Sequence, residues 1–229
     1  MLSTLLVILI LAMLYWFPVR RWFGRWGTTD EDLTRNMAGD PIIVQPTHSA
    51  THALTVDALP QDIWPWLMQM GYRRGGLYSY DWLDRLFGYL DRPSTSRVLP
   101  EFQQLTVGDV IPLGRGKGFP VTAIEPFRTL VLSDVNDGFQ WVWQFGLYPL
   151  DERRTRLVSR GTQRCDNTIG NWLFMRVMEP AAFIMTRRML LGLKKRAEAL
   201  RDLDVRSTAT IRVPPHENNC SQAPKENLL

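Results

Sequence analysis

The alternation of Phe139, Trp141, Trp143, Phe145 and Leu147 against Gln140, Val142 and Gln144 constrains the fold of this chain more than any other stretch. A period of two places the first set on one face of a β-strand, and a face that aromatic needs an apolar cover. Other strand patterns surround it, over residues 119–124, 129–133 and 154–163. Short turn signals separate them: Asn136-Asp137-Gly138 before the aromatic strand and Asp151-Glu152-Arg153 after it. Sequential hairpins of this kind predict an antiparallel meander. Upstream, residues 47–57 set Leu54 and Val56 against Ala53, Thr55 and Asp57, a further half-buried strand. The natural cover is the apolar stretch from residue 169 to about 203, which is rich in methionine and phenylalanine. Pro180 is expected to kink or divide it. Methionines such as Met175, Met178 and Met185 adapt to variable pocket contents and equally serve as core filler.

A second informative stretch runs over residues 73–88. The Gly75-Gly76 pair frees the backbone for a tight turn, and Ser79 or Asp81 can cap a short helix. Trp82, Leu83, Leu86 and Phe87 recur at helical spacing before Gly88. The segment either gathers Tyr78, Tyr80 and Trp82 at the mouth of a half-wet ligand site or packs its aromatics as core. A helix is expected over 59–71, carrying Ile63, Trp64, Trp66, Leu67 and Met70, and after the aromatic segment a loop with Pro93 and Ser94 leads to residues 98–102 and 107–112. Residues 28–37 read as a short capped helix broken by Gly39-Asp40-Pro41.

Residues 2–17 carry no charge, and about sixteen residues at 1.5 Å each give roughly 24 Å, nearly enough to cross hydrocarbon if extended through Val19. Aromatics (Tyr15, Trp16, Phe17, Trp22, Phe23, Trp26) and Arg20, Arg21 and Arg25 gather at its far end. No basic segment precedes the run and no small-residue cleavage site follows, so a retained transmembrane anchor is expected rather than a cleaved signal. The positive-inside rule then puts the following domain in the cytoplasm of a single-pass protein. The expected division is anchor 1–19, connector 20–46, domain 47–203 and a disordered polar tail 204–229.

The chain of 229 residues has 45% hydrophobic content, a formal charge of +4 and an isoelectric point near 9.3. The basic clusters, including Arg187-Arg188 and Lys194-Lys195-Arg196, point to an anionic membrane surface as partner and not to nucleic acid, for which no motif is present. Cys165 and Cys220 form no disulfide framework. His48 and His52 lie on a predicted strand, and with His216 they make no metal pattern, so neither metal nor cofactor is expected. Gly114-Arg115-Gly116-Lys117-Gly118 joins two strands, which makes it a hairpin loop and not a phosphate cradle.

Several segments together resemble the START/Bet v1-like superfamily of polyketide cyclases and lipid-transport proteins (SRPBCC), and more narrowly a membrane-anchored bacterial branch of it. They are residues 26–31, 64–71, 74–83, 97–103, 155–160 and 179–180 with 185–190, within a match that covers roughly Trp26 to Leu200. The resemblance implies an α+β helix-grip fold, a curved antiparallel sheet wrapped around a long C-terminal helix with an apolar cavity between them. It does not imply a reaction, because the superfamily spans carriers and enzymes. The expected function is a carrier or sensor of a lipid or other hydrophobic small molecule. The expected ligand-binding residues are Tyr78, Tyr80, Asp81, Trp82, Glu101, Trp141, Trp143, Phe145, Arg160, Met175, Met178 and Met185. Arg160 either faces the cavity, where Asp81, Glu101 or an acidic headgroup would pair with it, or points to solvent. A cyclase- or dehydratase-like enzyme using Asp81, Glu101, Tyr78 or Tyr80 as general acid or base is the alternative. A protein-interaction module whose cavity is filled by its own side chains is the third.

Overall fold

The computed structural model describes residues 2–116, 118–136, 138–166 and 168–211. Six strands are joined in one antiparallel sheet: β1 (His48–Val56), β2 (Val110–Pro112), β3 (Gly118–Glu125), β4 (Thr129–Asn136), β5 (Phe139–Pro149) and β6 (Thr155–Cys165). Their order, β1-β6-β5-β4-β3-β2, is the expected meander of five strands, with the first strand closing against the last. Across the ladder Trp143 faces Gly161, Phe145 faces Ser159 and Leu147 faces Leu157. Directly paired residues share a face, and β1 adds His48, His52 and Leu54 to that same side.

The helices are α1 (Leu2–Leu14), α2 (Arg20–Gly24), α3 (Asp30–Thr34), α4 (Pro60–Met68), α5 (Asp81–Leu86) and α6 (Ile169–Ile211). Phe145, Leu147 and Leu157 pack with Met189, Leu190 and Leu193 of α6 and with Ile63 and Leu67 of α4 in one core, against which Trp141 and Trp143 rest. Sheet and C-terminal helix thus form the helix-grip α+β arrangement. Helix α6 passes the segment that leads into α5 at close range. A Cβ on Gly192 would meet the Tyr78 carbonyl at 2.2 Å, so only glycine allows this approach. Tyr78 itself takes φ +59°, a conformation costly for a bulky side chain. Its ring is buried and its hydroxyl donates to the Trp66 carbonyl at 3.1 Å.

Pro180 does not divide α6, which runs continuously through it to Ile211. Proline has no N–H to give the carbonyl four residues back. That carbonyl, of Arg176, accepts instead from the Tyr15 hydroxyl at 3.1 Å. A tyrosine from the N-terminal helix therefore completes the hydrogen bonding of the C-terminal one. The helix also carries past residue 203, where a tail was expected to begin. The rest of that expected tail, 212–229, with His216 and Cys220, lies outside the described residues, as do Lys117 and Asp137 of the two expected turns.

The N-terminal expectation needs correction. No helix among the described residues is long and apolar enough to cross a membrane. Helix α1 has 13 residues, about 20 Å, against roughly 30 Å of hydrocarbon. It gives way to a π-helical turn, Tyr15–Val19, which contains Pro18. Residues 100–102 form a short 3-10 turn, Pro100–Phe102.

Candidate functional site

Between the aromatic face of the sheet and α6 lies an open recess of about 1350 Å³. Its walls include Phe119, Trp141 and Trp143 from the sheet and Met175, Met178 and Met185 from the helix. The tryptophans are held by their neighbours: Trp141 lies edge-on to Phe119 at 4.5 Å and stacks on Trp143 at 6.5 Å. The Trp143 indole N–H donates to the Ser159 hydroxyl at 3.1 Å. The polar tip of this ring is thereby satisfied, and its apolar face is free to meet a guest.

At one end of the recess the groups are charged. Glu179 of α6, itself buried, accepts from Arg20 Nε at 2.9 Å, lies 3.3 Å from His48 Nδ1 and pairs with Arg176. His52, four residues further along β1, donates from Nε2 to the Phe23 carbonyl at 2.7 Å. Burial lowers the pKa of His48, opposed by Glu179 and reinforced by Arg20 and Arg176. Burial likewise lowers that of His52, against the Phe23 hydrogen bond. Phe183 stacks on Phe23 at 4.6 Å beside them and closes this end.

Ser79 and Asp84 also line the recess. Asp84 is 0% exposed. One of its carboxylate oxygens accepts from the Ser79 hydroxyl at 3.0 Å, and the other, Oδ1, has no partner. Burial, with the nearby Asp81 charge, pushes this carboxyl up to about 6, against the Ser79 hydrogen bond. A buried acceptor without a donor costs about 1–3 kcal/mol, so Asp84 is poised to hold a donor from a guest or to carry a proton near neutrality.

The residues expected in the site separate into two groups. Trp141, Trp143, Met175, Met178 and Met185 line the recess, and Phe145 lies fully buried just behind it. The rest lie elsewhere. Tyr78 is a core residue, with the Arg196 guanidinium 4.6 Å over its ring. Tyr80 is half-buried under Arg188 at 5.5 Å. Asp81 clamps a loop by accepting from the Ser94 backbone and hydroxyl at 3.1 and 2.7 Å. Trp82 is 66% exposed, and Glu101 is exposed on its short turn. The three aromatics do not gather at a mouth because α5 turns Asp84, not its apolar stripe, inward.

Arg160 falls under neither expectation. Its pairing with Thr51 and Gln144 puts it on the opposite, convex face of the sheet. There the connector buries it to 7% exposure. Its guanidinium donates to Asp40 at 2.6 Å, Thr51 at 3.1 Å, and the carbonyls of Asp32 and Arg35 at 2.8 and 3.0 Å. Beside it Arg156 pairs with Asp32 at 2.5 Å. Burial alone would raise the Asp32 carboxyl, but Arg156 and the Thr29 cap hold it below its ordinary value. Neither arginine meets Asp81 or Glu101. The recess borders Asp40 and Arg160 only where it reaches round to the connector side.

His48, His52, Asp84 and Glu179 were not singled out in the sequence as site residues. An even spacing on a strand places both histidines on the aromatic side, a signal present in the pattern itself. Asp84 offered none, since its inward aim depends on α5 exposing its apolar stripe.

No family model matches the chain, and no curated protein matches it. Among solved structures it is similar to CalU16 from Micromonospora echinospora, at 16% identity over 68% of this chain and 87% of that one, with a TM-score of 0.33. It is also similar to truncated norcoclaurine synthase from Thalictrum flavum (14%, 67% and 95%, 0.40) and to protein CV1439 from Chromobacterium violaceum (15%, 66% and 99%, 0.39).

Proposed function

We propose that this protein binds a lipid or other hydrophobic small molecule in the recess between sheet and α6. The observation that carries the reading is the recess itself, about 1350 Å³ walled by two tryptophans and three methionines. Ligand sites for small molecules run about 300–1,000 Å³ with apolar walls and a few polar groups. Each Å² of apolar guest surface removed from water contributes about 25 cal/mol, so retention needs no covalent chemistry. Attachment to a membrane through the N-terminal helix belongs to the same proposal. Helix α1 carries no charge, is apolar from Leu5 onward, and exposes Leu6, Val7, Ile10 and Leu11. Arg20, Arg21 and Arg25 follow it, which suits contact with anionic headgroups at a bilayer surface. The test is lipid extraction and native mass spectrometry of the protein purified from its membrane. A reproducible apolar molecule released on denaturation is expected; an empty recess after gentle purification, with no uptake from mixed lipid extract, refutes the reading.

Asp84 favours a second reading, an enzyme of cyclase or dehydratase type. A carboxyl pushed up to about 6, with one oxygen unpartnered and an apolar recess in front of it, suits a general acid or base at neutral pH. Turnover that follows Asp84 protonation and vanishes in Asp84→Asn would establish it; release of the bound molecule unchanged would favour simple binding.

A further inference from the structure

One face of α6 is turned away from the sheet and, except where Phe174 borders it, from the recess. Ile169, Leu173, Phe174, Val177 and Ile184 are 46–87% exposed, and their spacing at three, four and seven residues puts them on one stripe. Met175, Met178 and Glu179 project on the opposite side, into the recess. No polar residue lies within the stripe until Arg187 and Arg188. Arg176, at its margin, is turned to Glu179. Single exposed apolar residues are unremarkable, whereas a contiguous face of large ones marks an interaction surface.

Two neighbouring elements extend it with the same chemistry. The N-terminal helix runs alongside: Tyr15 reaches Arg176, Arg20 reaches Glu179 and Trp22 lies 5.0 Å from Phe183. The advancing partners show that the two helices are parallel. On the other flank Arg188 stacks over Tyr80, next to α5, whose Trp82, Leu86 and Phe87 are exposed. The distribution of charge identifies the occupant. Residues 1–29 contain three arginines and no Asp or Glu. The single acid of residues 169–197, Glu179, is buried in ion pairs, and the acids of α5 face inward, Asp84 buried and Asp81 on Ser94. Arg85 and Arg188 are exposed on the outside, and Arg21 and Arg25 are exposed at the rim of the recess.

We infer that the first half of α6, with α5, is a second membrane-contacting surface, seated in an anionic bilayer beside the N-terminal helix. Large apolar side chains enter the acyl boundary while the surrounding arginines meet anionic headgroups. The recess, lined by the other side of the same α6 segment, then lies one helix diameter from the lipid. The inference rests on the membrane attachment proposed above, not on the identity of any ligand.

The test uses the full chain with Cys165→Ser and Cys220→Ser, carrying Leu173→Cys or, as control on the far edge of the sheet, Val110→Cys. Each is labelled with a small fluorophore in nanodiscs of phosphatidylcholine and phosphatidylglycerol. At position 173, brominated lipid should remove most of the emission and aqueous iodide little of it, with the reverse at position 110. Omitting phosphatidylglycerol should weaken the lipid quenching at 173. Equal iodide quenching at the two positions overturns the inference. So does disulfide pairing of two copies through position 173 without lipid quenching, which would make the face a dimer contact. Lipid quenching that ignores phosphatidylglycerol overturns the role of the arginines. Failure of the chain to enter nanodiscs at all defeats the attachment proposal itself.

Discussion

The two faces of one sheet handle polar groups in opposite ways. On the convex face Arg156, Arg160, Asp32, Asp40 and Gln144 form a closed network: Gln144 donates to Asp40 at 2.7 Å and accepts from the Gly39 N–H at 2.8 Å, and each guanidinium has carboxylate and carbonyl partners. On the concave face Asp84 keeps an unpartnered oxygen and Gln163 another, both beside open space. Buried polar groups are almost always satisfied internally, and exceptions ask for a reason. Fully paired charges mark the seam that fastens the connector to the sheet. On the recess side Glu179 is paired in the same way, and it is the open oxygens of Asp84 and Gln163 that mark the space left for something else.

The largest effect expected is at that seam. Arg160→Ala would take the cation from Asp40, leaving it only the Gln144 amide and the Met37 N–H, would leave the Asp32 and Arg35 carbonyls without this donor, and should cost about 2–3 kcal/mol, read as a lower urea midpoint. If it instead left stability intact and released the bound molecule, the assignment of faces would be inverted. Asp84→Asn tests the other side, with the opposite sign. The folded state holds the Asp84 proton up to about 6, whereas the unfolded chain releases it near the ordinary carboxyl value, so the wild type loses stability as pH rises between the two. The amide should therefore stabilise the fold by about 1–2 kcal/mol at pH 8 and by almost nothing at pH 4. Equal effects at both pH values would refute a raised carboxyl.

His52 should give a shallower pH dependence. Its pKa is lowered on folding, so the unfolded state takes up the proton first and stability should fall as pH drops below about 6.5. His52→Gln should flatten this slope in thermal melts, and a slope that survives would assign it elsewhere. Smallest in stability is Met178→Trp, which fills part of the recess and should change stability by about 1 kcal/mol or less while displacing the bound molecule. A drop of several kcal/mol would mean that the space around Met178 is already packed.

The sheet was legible because alternation and turn chemistry are local: the aromatic strand, its partners and the covering helix all follow from spacing along the chain. The tryptophans and methionines of the recess came with them. What could not be read was which way short or isolated elements turn. Helix α5 has an apolar stripe that any pattern would bury, yet Trp82 and Leu86 face out and Asp84 faces in. The side taken by Arg160 depends on strand register, and its partners come from a connector over a hundred residues earlier in the chain. At the N-terminus hydropathy saw one continuous run, whereas the backbone changes pitch at Pro18.

The contact between Gly192 and the Tyr78 carbonyl makes this part of the fold intolerant of change. Any side chain larger than hydrogen at position 192 would push α6 off the Tyr78 segment, and the helix would carry Met185 and Met189 with it. The inner wall of the recess is therefore set by a residue that does not itself line it.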